Sequence, residues 1–164
     1  MKKPKDSRKR KKATSQSYKC AIYARSASDL KTASNSTADQ IRKCTEYAEK
    51  RGWQIIKESV EADVAVSGAS LVKRHALRSL MKAAEKRPRA FDRVLTADMS
   101  RVARNLDDFL RVMSHFHQNG ADVMTIREGF VWPEHRHQFI LLGLMDEQYL
   151  LELSEKARAR RTRQ

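Results

Sequence analysis

Glycine is scarce in this chain, five in 164 residues, and none of them clusters into the glycine-rich turn with which nucleotide-binding enzymes cradle a phosphate. That absence argues against nucleotide use. No apolar run approaches the ~18 residues of a membrane span, and the lysine-rich start lacks the apolar stretch of a secretory signal, so neither a membrane partner nor export is expected. Cysteine is limited to Cys20 and Cys44, without paired spacing or a histidine at ligand distance, which reads as two buried reduced thiols. The pairs His115/His117 and His135/His137 miss the i, i+4 spacing of a helical metal site. No metal or other cofactor is expected, and no internal repeat is present.

Acid is nearly missing from both ends. Residues 2–12 hold eight Lys or Arg against Asp6 alone, a net of +7, and residues 156–163 hold five with no acid, a net of +5; of the formal +14 only +2 is left for everything else. The block around Lys9, Arg10, Lys11 and Lys12 repels itself and can bury nothing. Residues 1–18 are therefore expected to form a disordered arm that neutralises phosphates in a salt-dependent way. A solubilising tail or a localisation signal is the competing use of the same residues. The body, at 40% hydrophobic residues over the chain, is long enough for one domain with its own core.

Within the body, strands and helices alternate. Cys20–Ala24 reads as a short buried strand, and Thr37-Ala38-Asp39-Gln40 as a capping box opening a helix whose inner face is Ile41, Cys44 and Ala48, ended by Gly52. Trp53–Val60 is rich in β-branched and aromatic residues and predicts a second strand; Glu61–Lys73, without helical period, predicts a loop. Leu77, Leu80, Met81 and Ala84 mark a helix stopped before Pro88. Val94–Ala97 predicts a third strand, Asn105 with Asp108 the start of a helix running to Gly120, and Ala121–Ile126 a fourth strand. From His135 to about Arg160 a single long helix carries Phe139, Leu142, Met145, Tyr149, Leu150 and Leu153. The expectation is an α/β fold with a mainly parallel sheet flanked by helices, in which ligands collect at the carboxyl ends of the strands. The last helix is longer than the sheet needs, which suggests pairing with another subunit; a long packing helix is the plainer use.

Arginines stand where strands should end. Tyr23-Ala24-Arg25 tips the first apolar run and Arg101-Val102-Ala103-Arg104-Asn105 follows the third, with Ser67-Gly68-Ala69-Ser70 and Arg74 between them. A guanidinium stays charged at ordinary pH and its fork matches phosphate, so several converging at one sheet edge suit a tetrahedral oxyanion. Any one of these arginines alone would pass for a solvated charge; their joint order points to phosphoryl chemistry.

Those motifs, in that order, resemble the N-terminal catalytic domain of serine recombinases, the resolvase and invertase superfamily, and most closely its large-recombinase branch. The resemblance runs from about Lys19 to the end. It implies a resolvase-like catalytic domain over residues 19–131 and a linker plus long dimerisation and DNA-backbone helix over residues 132–164. It also implies double-stranded DNA as partner, a homodimer or a tetramer on DNA, and a cytoplasmic, nucleoid-associated setting. The activity would be DNA recombination or integration, as on a transposon or phage element. In that family a serine hydroxyl attacks a phosphodiester, leaving a phosphoserine link and a free 3′ hydroxyl, and arginines rather than a metal neutralise the phosphate.

Carried onto this chain, the resemblance makes Arg25, Arg74, Arg101 and Arg104 the catalytic arginines, with Tyr23, Gln40, Asp63, Ser67 and Asn105 in support. The basic residues Arg158, Arg160 and Arg161, like the arm, would meet the DNA backbone. Two positions depart from the pattern. The nucleophile's place, two residues past Arg25, is Ala27, and the acid preceding the arginine pair is Ser100. Ser28, already in the loop, is a substitute nucleophile; Ser26 should point away from Arg25 if the strand continues; Asp98 lies on the side of Ser100 and would partly replace the missing acid. Three functions follow: a strand-cutting recombinase domain, a catalytically defective DNA-binding and dimerising relative, and an unrelated α/β enzyme with a basic arm.

Overall fold

The computed structural model describes residues 17–27, 36–68 and 71–161. Strands β1 (Lys19–Arg25), β2 (Gln54–Asp63), β3 (Arg93–Thr96), β4 (Asp122–Thr125) and β5 (Phe130–Trp132) form one sheet in the order β2-β1-β3-β4-β5. The first four are parallel, and β5 returns antiparallel to β4. Helices α1 (Thr37–Glu49), α2 (His75–Glu85), α3 (Met99–Val102), α4 (Leu106–Gln118) and α5 (Arg136–Arg161) complete it. The fold class is that expected from the sequence.

A parallel sheet must be covered on both faces, so its strands are apolar on both. Alternate residues of β1 serve two cores: Ala21 and Tyr23 pack with α2, α4 and Phe139 of α5, whereas Cys20 and Ile22 pack with Cys44 and Ala48 of α1. Both cysteines are free and buried. Burial pushes their thiols up, to about 11 for Cys20 and about 12 for Cys44, so neither is a ready nucleophile.

Four local expectations change. The N-cap of α1 is Ser36, whose hydroxyl accepts from the Asp39 backbone N–H, because Gln40 is engaged elsewhere. Strand β2 continues through Glu61 to Asp63, since pairing with β1 carries it on to the Arg25↔Asp63 register. The four-residue α3 and three-residue β5 were too short to leave a periodic signal. By contrast, Asn105 caps α4 as expected, accepting from Asp108 N at 2.8 Å.

α5 has 26 residues, roughly 39 Å at 1.5 Å per residue, and only its start belongs to the body. Phe139 is fully buried, 5.2 Å from the Phe109 ring and 5.6 Å from Phe130. Gly143 brings the helix so close that a Cβ there would sit 2.7 Å from Leu106 Cδ1. Beyond it Leu144, Met145, Tyr149, Leu150, Leu151 and Leu153 are exposed. No helix among the described residues is long and apolar enough to cross a membrane.

Candidate active site at the carboxyl edge of the sheet

β1 is flanked by β2 to its last residue, but β3 stops opposite Tyr23. The backbone of Arg25 therefore faces an empty place in the ladder on the β3 side. The buried Gln40 fills it: its Oε1 accepts from Arg25 N at 3.1 Å and its Nε2 donates to Arg25 O at 2.9 Å. Arg101 Nη1 donates to the same carbonyl at 3.1 Å. An amide, with one donor and one acceptor, is the side chain this vacancy requires.

Arg25 and Arg74 project into the interior, with 1% and 0% of their surface exposed. Arg25 donates to Val66 O at 2.8 Å, Ser100 O at 2.8 Å and Arg101 O at 3.2 Å. Arg74 donates to Arg101 O at 2.6 Å, to Val102 O, and twice to the Tyr23 hydroxyl, at 2.7 and 3.1 Å. The carbonyls at the end of a four-residue helix have no intrahelical partners, and the two guanidiniums satisfy those of α3. The Tyr23 hydroxyl passes its proton toward Asp63 Oδ2 at 2.9 Å. Asp63 in turn accepts from Ala76 N at 2.9 Å and Leu77 N at 3.2 Å, so a carboxylate from the end of β2 caps α2 in place of a local side chain. Burial pushes the Tyr23 hydroxyl well above its usual range.

The site is crowded with positive charge. Burial first, then the neighbouring guanidinium of Arg74, and with smaller weight those of Arg104 and Arg101, hold Arg25 down to about 10 from its ordinary 12.5. Gly68 lies directly on this cluster: a Cβ there would meet Arg25 Nη2 at 2.8 Å and Arg104 Cγ at 2.9 Å. Arg104 N donates to Gly68 O at 3.2 Å, tying the Ser67-Gly68 turn to the arginine segment; Ser67 itself is exposed.

Ser100, at the expected acid's position, donates its hydroxyl to Asp98 Oδ1. Asp98 also receives Arg101 Nε at 3.3 Å and stands 3.8 Å from Arg127 Nη1. Burial alone would raise its pKa, but the Ser100 hydrogen bond and the charges of Arg101 and Arg127 outweigh it and hold the carboxyl below its ordinary 3.8. A carboxylate thus stands within hydrogen-bond reach of Ser100, on the wall of a cavity of about 290 Å³ shared with Arg101, Arg127, Lys43, Asp39 and Gln40. Arg127 and Lys43 are lining residues that no sequence motif marked.

Ala27 is exposed beyond the end of β1. Ser26 Oγ accepts from Ala65 N at 3.3 Å, on the segment that follows β2. Tyr23, Arg25, Asp63, Gln40, Arg74, Ser100, Arg101 and Arg104 are thus brought to one edge of the sheet, and Asn105 stands one step outward as the α4 cap. Arg158 is exposed far along α5; Arg160 and Arg161 continue that helix. Ser28, Lys9, Arg10, Lys11 and Lys12 lie outside the described residues.

The family model described as resolvase, N-terminal domain, matches residues 20–164. The chain belongs to the resolvase family. Among solved structures, this resolvase-family chain is 30% identical to the N-terminal catalytic domain of TP901-1 integrase, over 82% of this chain and 98% of that one, with a TM-score of 0.64. It is 27% identical to the C-terminal catalytic domain of ISC1926 TnpA, an IS607-like serine recombinase, over 66% and 69% of the two chains, with a TM-score of 0.56. A resolvase family site-specific recombinase from Streptococcus pneumoniae, 17% identical over 89% of this chain and 99% of that one, shares the fold at a TM-score of 0.63. No curated protein matches. The resemblance read from the arginine motifs is thereby established at the level of family and fold.

Proposed function

We propose that this domain holds the backbone of double-stranded DNA at the carboxyl edge of its sheet and pairs with a second copy through α5, without the strand cleavage of its family. The pairing is dimeric, or tetrameric on DNA. The observation that carries the reading is Ala27, a methyl group with no lone pair to attack phosphorus, beside an intact cluster of four arginines. Arg101 and Arg104 are the partners of the phosphate, while Arg25 and Arg74 position the segment that bears them and add to its potential. A bound anion would offset the neighbouring guanidinium charges that add to burial in lowering the Arg25 pKa. The similarity to integrase and recombinase catalytic domains supports a role on DNA. Residues 1–18, with Lys9 to Lys12, and the end of the 132–164 segment, with Arg158, Arg160 and Arg161, supply further backbone contacts to the 19–131 body.

One observation favours a second reading, an active recombinase: Asp98 hydrogen-bonds Ser100 and offers a carboxylate near the missing acid's place, with Ser28 as nucleophile. The two separate on a denaturing gel after incubation with supercoiled DNA carrying a candidate crossover site. The expected result is no protein-linked nicked product from the unaltered chain, and weak adduct at most from Ala27→Ser, because Ser100 still replaces the acid. Adduct from the unaltered chain that vanishes in Ser28→Ala overturns the proposal.

A further inference from the structure

Positive charge on the body is concentrated in one stretch. Residues 73–89 hold seven Lys or Arg against Glu85 alone, a net of +6, whereas residues 13–155 as a whole carry twenty-one against nineteen acids, a net of +2. Everything else in the body is therefore net negative, at −4. Arg74 is buried in the site, Arg87 folds back onto the carbonyls that close α2, and Arg89 approaches Asp92 at 3.7 Å. Lys73, Arg78, Lys82 and Lys86 remain exposed, and none of them meets a carboxylate among the described residues.

His75, Arg78, Ser79 and Lys82 recur at helical spacing on the outer face of α2 and line a depression of about 330 Å³. The inner face, Ala76, Leu77, Leu80 and Ala84, is spent on the core. No packing inside the fold thus accounts for the cations. Glu61 on β2 accepts the Ser79 hydroxyl at 3.0 Å, and so is held by the row's own hydroxyl rather than by one of its cations.

We infer that this face of α2 is a second phosphate-backbone contact, taking duplex DNA that continues past the arginine site. Charge complementarity selects a polyanion, and continuity selects DNA, because the row begins at Lys73 and His75 on either side of Arg74. From His75 to Lys82 the helix advances roughly 10 Å, long enough for its cations to reach more than one phosphate of a strand. The inference rests on the proposed meeting of this chain with DNA.

The test is the salt dependence of duplex binding by the full chain, for the unaltered protein, the double variant Arg78→Gln/Lys82→Gln, and Arg111→Gln, an exposed arginine on α4 that is not part of the row. Each lost phosphate contact removes about 0.9 from the slope of log K against log salt. The double variant should lose about 2 from the slope and roughly tenfold in affinity near physiological salt, with an unchanged thermal melt, and Arg111→Gln should change neither. A double variant that keeps the full slope overturns the α2 contact while leaving DNA binding intact; an unaltered chain that binds no duplex at low salt removes the underlying reading as well. An equal loss in Arg111→Gln assigns the effect to net charge and also overturns it. Kept slope with lost self-association would give the face to an acidic surface of a second copy instead.

Discussion

Arg25 and Arg74 differ from Arg101 and Arg104 in what they spend their donors on, although all four lie at one sheet edge. The first pair is buried and bonded to the carbonyls of residues 100–102 and to the Tyr23 hydroxyl. Of the second pair, the Arg101 side chain is 18% exposed and Arg104 is open to solvent. Two buried guanidiniums can thus be held side by side without a carboxylate of their own where the loose ends of a short helix supply the acceptors. The difference also divides labour: Arg25 and Arg74 hold the segment, Arg101 shares its donors between Asp98 and the Arg25 carbonyl, and Arg104 stands open to an anion.

The sharpest way to break that contrast is to truncate one member of each pair. Arg74→Ala takes the donor from the Val102 carbonyl and both donors from the Tyr23 hydroxyl, leaves Arg101 O only the longer Arg25 Nε contact, and should cost about 3 kcal/mol in denaturant unfolding. Arg104→Ala should cost under about 0.5 kcal/mol, as surface substitutions do, while removing about 0.9 from the salt slope of DNA binding. Equal losses of stability would erase the distinction.

A smaller effect is expected at Gly68. An alanine methyl there collides with Arg25 Nη2 and Arg104 Cγ at once, so Gly68→Ala should destabilise by about 1–2 kcal/mol and weaken DNA binding through Arg104. A variant as stable as the parent would mean the turn moves freely away from the arginines.

The smallest concerns acid. The Asp98 carboxyl titrates below its ordinary 3.8 in the folded protein, so the folded state binds its proton less readily than the unfolded chain. The stability it contributes is complete above the ordinary aspartate range and is lost as pH falls through the lower folded value. Asp98→Asn should therefore flatten that part of the pH–stability curve. An unchanged acid limb would show that the Ser100 and Arg101 contacts carry no linkage.

Much of this was legible in the residues because it depends on local pattern. The alternation of elements, the Asn105 cap and the long last helix all follow from periodicity and end signals. The cap of α1 is Ser36, one position before the box that the sequence suggests, because Ser36 and Thr37 are both competent caps, and only the vacancy beside Arg25 reveals why Gln40 is not part of the box. The extra length of β2 depends on pairing with β1, not on the composition of Glu61-Ala62-Asp63. The burial of Arg25 and Arg74 had no signal at all. Arginines are rarely buried without a partner, and the partners here are main-chain oxygens, which every residue possesses and no motif distinguishes.

Glu147 Oε1 accepts from Leu106 N at 2.9 Å, one turn beyond the close approach of Gly143 to Leu106 and Met99. The projecting rod is thereby clamped at its root to the stretch carrying Arg101 and Arg104. Twisting its far end against a neighbour would strain that clamp, so whatever docks there exerts leverage on the two guanidiniums this stretch carries.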